Sequence, residues 1–154
     1  MLLFRNIVLA LLLVWVSYTD LKRREIDNEP LIIGLTFVVL FTLCGFNDVS
    51  VRSSILGFLI GGVIFLILSF FGMGGGDVKL MAMIGFFVGW KHILLVMYGS
   101  FLIGALIGVI YLIAKKKGLK EHIPFAPAIA CATMIVAFFG TRIINSYDFL
   151  WILR

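Results

Sequence analysis

The chain has 154 residues, of which 62% are hydrophobic and only 14% charged, with a formal net charge of +5 at pH 7 and a mean hydropathy of +1.17. This balance lies far outside that of a soluble domain, so the composition predicts an integral membrane protein. We interpret the basic residues as determinants of membrane topology and not as a nucleic-acid surface, because no polar domain is available to carry one.

Apolar segments recur along the whole chain and do not alternate as the strands of a barrel would, so the sequence predicts a polytopic helical bundle. Residues 1–154 are expected to form a single all-α membrane domain with about six transmembrane helices. Gly57 and Gly61 have the four-residue spacing of small side chains that lets membrane helices approach closely. In chain order, the predicted spans are 2–18, 30–46, 53–71, 77–90, 93–114 and 124–140.

The first span ends at the most densely charged part of the sequence, residues 20–29. Because the basic residues follow the apolar segment and no small-residue cleavage site is present, we expect a retained helix and not a signal peptide. Asp20 opens this charged segment. A carboxylate in this position either caps or solvates a helix end, or takes part in chemistry.

A glycine-rich run, residues 72–76, separates the third predicted span from the fourth and is followed by Asp77. Glycines lower the cost of unusual backbone angles and of close approach by another chain, so the run indicates a site that needs open space beside its backbone. Asp77 is an ionisable group at a membrane boundary, where such a group is costly to keep among apolar neighbours. It is therefore a first candidate for chemistry, although a helix start also suits a capping aspartate.

Charge predicts the orientation of the six spans. If the N-terminus is outside, one membrane face collects eight of the thirteen basic residues, and the other face keeps single, scattered ones. The positive-inside rule then places the Asp20 segment, the glycine run and the Lys115 loop in the cytoplasm. The eight residues are Lys22, Arg23, Arg24, Lys79, Lys115, Lys116, Lys117 and Lys120.

This topology predicts that Asp20 and Asp77 lie at the same membrane face, because two spans separate them and the chain crosses and returns. Two carboxyls held close together cannot both ionise, so they share a proton. One then acts as a base toward a water molecule, while the protonated one polarises a peptide carbonyl and later helps to protonate the leaving nitrogen. The pattern therefore points to aspartic proteolysis, for which no metal is needed.

Three segments of the chain resemble motifs of the bacterial type IV prepilin peptidases. Residues 74–77, Gly-Gly-Gly-Asp, fit the Gly-x-Gly-Asp motif of that family, and residues 72–85 resemble the wider region. Residues 20–28 look like the first aspartate of the family followed by a basic stretch and Ile-Pro-Asn. Residues 123–127, Ile-Pro-Phe-Ala-Pro, are similar to the Pro-Phe-Gly-Pro segment that opens the last helix. The motifs follow the family's order over essentially the whole chain.

The resemblance implies a six-helix aspartic endopeptidase, without a cofactor, that removes the short basic leader from prepilins or pilin-like secretion subunits. It implies a multi-pass protein of the bacterial cytoplasmic membrane with its active site facing the cytoplasm. Its partners would be the pilin substrate and the lipid bilayer, and not nucleic acid. Carried over by position, Asp20 and Asp77 are the catalytic pair, Gly74 and Gly76 shape the site, and Lys79 lies near it as a site-shaping or substrate-binding residue.

The sequence departs from the family pattern at two positions. Asp27 stands where the family has proline, and Ala126 stands where it has glycine. Larger members also carry a cytoplasmic insert with paired Cys-x-x-Cys motifs, linked to N-methylation of the mature pilin. The cysteines of this chain, Cys44 and Cys131, lie far apart in apolar segments and are expected to be buried structural thiols. The similarity to short Flp-type prepilin peptidases implies cleavage without methylation.

Three other functions fit parts of the pattern. A small transporter would also use intramembrane acids, but it would place them near the bilayer midplane and build the site from inverted repeats. A non-catalytic pilus or secretion assembly factor would keep the helices and tolerate loss of either aspartate. An intramembrane protease of the presenilin or signal-peptide-peptidase type pairs Gly-x-Gly-Asp with Tyr-Asp, whereas residues 19–20 of this chain read Thr-Asp.

Overall fold

The computed structural model describes residues 2–23, 26–115 and 124–152, and all regular structure within them is helical. The all-α fold expected from the sequence is therefore confirmed. The described residues form six helices: α1 Leu2–Arg23, α2 Asn28–Leu43, α3 Val51–Ser69, α4 Gly75–Val88, α5 Trp90–Lys115 and α6 Ala126–Ile152. Of the polar loop predicted after α5, residues 116–123 lie outside the described part of the chain.

Four helices of the described chain are long and apolar enough to cross a membrane, which supports the polytopic character expected from composition. These segments are Phe4–Arg23, Val51–Ser69, Trp90–Ile110 and Ala126–Ile144. The other two helices are shorter, with 16 residues in α2 and 14 in α4. At a rise of about 1.5 Å per residue, α4 is about 21 Å long, which is less than the roughly 30 Å of a hydrocarbon core.

Helix α4 is the centre of the bundle. It contacts α2, α3, α5 and α6, while α1 packs against α2 and α6. Leu80, Met81 and Ile84 of α4 are completely buried. Since most of its side chains are buried against these helices, α4 holds its first turn in a fixed position relative to its neighbours.

Glycines let α3 and α4 approach to backbone contact. A Cβ atom on Gly57 would collide with the carbonyl oxygen of Gly85, and one on Gly61 would lie 2.6 Å from the carbonyl oxygen of Met81. Real Cβ atoms do not come this close to other atoms, so larger residues at these positions would force the helices apart. The close-packing role predicted from the four-residue spacing of Gly57 and Gly61 is confirmed.

Two helices extend further than the apolar pattern predicted. Helix α1 continues to Arg23, so Asp20 lies inside its last two turns and not in a loop. Lys22 and Arg23 in the last turn interact favourably with the negative end of the helix dipole, which helps the helix outlast its apolar segment. Helix α6 continues past the predicted end at residue 140 to Ile152. Hydropathy marks where a helix leaves the apolar phase and not where its hydrogen bonds end.

The prediction that both cysteines are buried is wrong. Cys44 follows α2 as its C-cap, Cys131 lies in α6, and both are exposed on the bundle surface. In a membrane protein an apolar side chain need not enter the protein interior, because the lipid tails around the bundle are as apolar as the core.

Candidate active site

Asp20 is a buried carboxylate that connects α1 to the start of α6. Only 7% of its surface is exposed, and its Oδ2 atom accepts a hydrogen bond from the backbone N–H of Ala126 at 3.0 Å. Ala126 is the first residue of α6, where backbone N–H groups have no partner within the helix. The carboxylate therefore meets the positive end of the α6 dipole and satisfies one of its free N–H groups.

Asp77 lies in the first turn of α4 and is 8% exposed. The N-cap residue of α4 is Gly74, and its backbone N–H donates a hydrogen bond back to the Asp77 carboxylate. A side chain at the third helical position that reaches back to the N-cap in this way is half of a capping box. The helix-capping role considered for Asp77 is thus present, at the third position of the helix and not at the cap itself.

The two aspartates interact electrostatically at the same end of the bundle. Asp77 lies outside the four segments long enough to cross the membrane. Burial, and to a smaller extent the negative charge of Asp20, raise the pKa of Asp77, the hydrogen bond from Gly74 lowers it, and together these effects place the pKa at about 7. The structure therefore brings together the two carboxyls that the sequence singled out, and their catalytic role stays a prediction.

Gly76 has a steric reason to be glycine, and Gly74 has a weaker one. A Cβ atom on Gly74 would lie 3.3 Å from Oδ2 of Asp77, and one on Gly76 would lie 2.7 Å from Cβ of Ile26. The second distance is too short for a real contact, so Gly76 is what allows the segment between α1 and α2 to rest on the first turn of α4. Gly75, between them, faces open space.

Lys79 contacts α2. Its side chain is exposed, and its Nζ atom donates a hydrogen bond to Oδ1 of Asn28 at 2.8 Å. Two residues along a helix correspond to about 200° of rotation, so Lys79 lies on the opposite side of α4 from Asp77. Its hydrogen bond ties the start of α2 to α4, and its predicted role as a site-shaping or substrate-binding residue stays a prediction.

Sequence reasoning missed the roles of Ala126, Ile26 and Asn28. The resemblance drew attention to the segments that contain them, but it left their roles undefined. Ala126 contacts Asp20 through its backbone N–H. Ile26 can rest on α4 only because Gly76 has no side chain. Neither kind of contact leaves a residue pattern that a single sequence displays.

Comparison with known proteins identifies relatives over most of the chain. Residues 7–109 match the type IV leader peptidase family. The chain is 36% identical over 148 residues to a protein of Bacillus subtilis named prepilin leader peptidase/N-methyltransferase. This alignment covers 94% of the chain and 59% of the relative. It is 33% identical over 156 residues to a protein of the same name from Xanthomonas campestris, covering 94% of this chain and 53% of the relative.

The chain spans about half the length of these curated relatives. No solved structure matches it. The family match nevertheless includes α4 and its glycine-rich start, most of α1 with Asp20, and the segment between α1 and α2 that rests on Gly76. Because the match extends over well over half of the sequence, the chain belongs to the type IV leader peptidase family.

Proposed function

We propose that this chain is an aspartic endopeptidase that removes the basic leader peptide from prepilins or pilin-like subunits at the cytoplasmic face of the bacterial cytoplasmic membrane. The observation that carries the proposal is the pair of buried carboxyls, Asp20 and Asp77, at one end of the bundle. The names of the relatives from Bacillus subtilis and Xanthomonas campestris support the type of substrate.

The surroundings of the two carboxyls differ. Asp20 accepts the N–H of Ala126 at the start of α6, which stabilises its negative charge. Asp77, whose pKa is raised to about 7, holds the shared proton below about pH 7. Since the two groups titrate as one coupled unit, their pair carries a single negative charge under these conditions.

In the proposed reaction, Asp20 removes a proton from a water molecule as the water oxygen bonds to the carbonyl carbon of the scissile peptide. Asp77 donates a hydrogen bond to the carbonyl oxygen and stabilises the charge that develops there. The carbon–nitrogen bond then breaks, and the leaving nitrogen takes up the proton that Asp20 received. Both carboxyls return to their starting states.

Gly74, Gly76 and Lys79 are proposed to shape this site without touching the reacting atoms. Gly74 leaves room for the Asp77 carboxylate and donates the hydrogen bond that orients it. Gly76 and Lys79 fix the segment between α1 and α2 against α4, through Ile26 and Asn28 respectively. Because Asp20 lies a few residues before that segment, these contacts help to hold the two carboxyls at a constant separation.

The proposal is tested by cleavage of a prepilin-like substrate, with a basic leader followed by an apolar segment, by the native chain reconstituted in lipid vesicles. We expect the leader to be released and, with a methyl donor present, the new N-terminus to stay unmethylated. Mass spectrometry of the product reads out both events. An inserted, folded chain that releases no leader contradicts the peptidase proposal, and a methylated product contradicts only the absence of methylation.

Cleavage is expected to decline on the alkaline side of about pH 7, because the raised pKa of Asp77 is about 7. Above this pKa both carboxyls are ionised, and no proton remains to polarise the substrate carbonyl. Initial rates measured from about pH 5 to about pH 9 should fall by about tenfold per unit on the alkaline limb. A rate that stays constant up to the highest pH would contradict a shared proton on this pair.

A further inference from the structure

An apolar groove runs along the outside of the bundle on the side of α4 opposite Asp77. It has a volume of about 550 Å³ and lies between α2 and α3, with α4 as its floor. Its walls include Leu31, Leu35, Leu59, Val63 and Leu66. Leu59, Val63 and Leu66 are each about half exposed. Because α3 is one of the helices able to cross the membrane, this groove opens toward lipid.

One end of the groove presents hydrogen-bond donors. Lys79 and Asn28 line that end, and the Lys79 ammonium donates to Oδ1 of Asn28 at 2.8 Å. This bond occupies the carbonyl oxygen of Asn28 and leaves its NH₂ group, together with the other ammonium protons, as the groups available to a ligand. With a positive charge and only hydrogen-bond donors on offer, this end of the groove favours an anionic ligand.

The positive charge of Lys79 is not neutralised within the described residues. No carboxylate there lies within ion-pair distance of it, and the nearby Asp27 pairs with Arg23 at 3.8 Å. Glu29, exposed in the first turn of α2, is the other acid close to this end in the chain. An occupant that places an acidic group beside Lys79 would therefore add the missing countercharge.

The length of the groove favours a lipid over a peptide. Its α3 wall runs from Phe58 to Leu66, which corresponds to about 12 Å along the helix axis. Half of a hydrocarbon core is about 15 Å thick. The groove therefore matches the depth of one leaflet, whereas a transmembrane peptide segment would need a surface about twice as long.

We infer that this groove binds an anionic phospholipid, with an acyl chain along α2 and α3 and its phosphate at Lys79 and Asn28. Basic sites between membrane helices are a common way to recognise acidic headgroups. The lipid would cover the outer side of α4 and bridge α2 to it, beside the contacts that hold the α1–α2 segment. This inference goes beyond the proposed peptidase activity and does not depend on it.

The test is lipid retention by the full chain, measured by native mass spectrometry in detergent with dioleoyl phosphatidylglycerol or dioleoyl phosphatidylcholine. These lipids share their acyl chains and differ in headgroup charge. We expect the native chain to retain phosphatidylglycerol about fivefold better, from the contribution of one basic side chain. Glycerol 3-phosphate, which lacks acyl chains, should not displace it. Equal retention of the two lipids, or displacement by glycerol 3-phosphate, would overturn the inference.

Matched variants locate the site. Lys79→Gln should bring the ratio of phosphatidylglycerol to phosphatidylcholine retention close to one. Lys22→Gln, at an exposed lysine of α1, should leave this ratio at its native value. Val63→Trp should fill the groove and reduce retention of both lipids. Ile67→Trp changes a similarly exposed residue of the same helix outside the groove and should have no effect.

Two results would reject this location. One is an unchanged preference in Lys79→Gln, and the other is unchanged retention in Val63→Trp. If the apolar segment of a prepilin-like substrate displaces phosphatidylglycerol, and its own binding is lost in Val63→Trp, the groove is a peptide site and the lipid assignment is wrong. Since the readout is lipid retention, failure of the proposed peptidase activity would leave this result unaffected.

Discussion

Cleavage is expected to fall by about a thousandfold or more when either Asp20 or Asp77 is replaced with asparagine, because each change removes one of the two proton-transfer groups. The asparagine side chain has the same shape and keeps an oxygen that can accept a hydrogen bond. Asp20→Asn can therefore still accept the N–H of Ala126, and Asp77→Asn that of Gly74. The measurement is the rate of leader release in lipid vesicles, with each variant at equal amount and with normal thermal stability.

Asp27→Asn is the matched control for both variants. Asp27 belongs to the same charged segment as Asp20, but it pairs with Arg23 on the protein surface at 3.8 Å. An exposed ion pair of this kind contributes little to stability, so the variant should fold and cleave at close to the native rate. Normal cleavage by Asp20→Asn or by Asp77→Asn would show that the proposed pair is wrong. A comparable loss in Asp27→Asn would show that the assay reports charge at this face and not catalysis.

The placement of the two aspartates could be predicted because it depends on topology alone. A chain that crosses a membrane and returns must bring its ends to the same face, whatever the packing between them. The glycine-rich run could be assigned to a special backbone segment for a similarly local reason, since only glycine tolerates the close approach seen at Gly76. These predictions needed no knowledge of which helices touch.

The contacts that complete the site could not be predicted, because they join distant parts of the chain. The hydrogen bond from Ala126 to Asp20 links residues 106 positions apart, and it involves a backbone group whose side chain carries no information about it. The bond between Lys79 and Asn28 spans 51 positions. Likewise, burial of the cysteines was predicted wrongly because hydropathy does not distinguish a side chain that faces protein from one that faces lipid.

Replacement of Gly57 with alanine is expected to destabilise the bundle by about 2 kcal/mol, as is typical when a side chain is forced into a filled space. A Cβ atom on Gly57 would collide with the carbonyl oxygen of Gly85, so α3 and α4 would have to separate along their whole contact. The higher helix propensity of alanine offsets only part of this, by about 1 kcal/mol at most. Thermal unfolding in detergent, followed by circular dichroism, measures the change.

Gly75→Ala is the control, because a Cβ atom on Gly75 meets no other atom within 4 Å. We expect its unfolding to match that of the native chain. Gly85→Ala should destabilise the bundle as Gly57→Ala does. The double variant should lose less unfolding free energy than the two single variants together, because helices already separated by one methyl group have room for the second. Strict additivity would mean that the two glycines do not share one contact.

The same variants also test whether α4 positions Asp77. If the packing of α3 on α4 holds the first turn of α4 in place, Gly57→Ala should reduce both stability and cleavage, although every ionisable group is retained. Asp77→Asn should reduce cleavage alone. Native cleavage by a clearly destabilised Gly57→Ala would show that the position of Asp77 is set at the start of α4, by Gly74 and by Ile26 against Gly76, and not by the contact with α3.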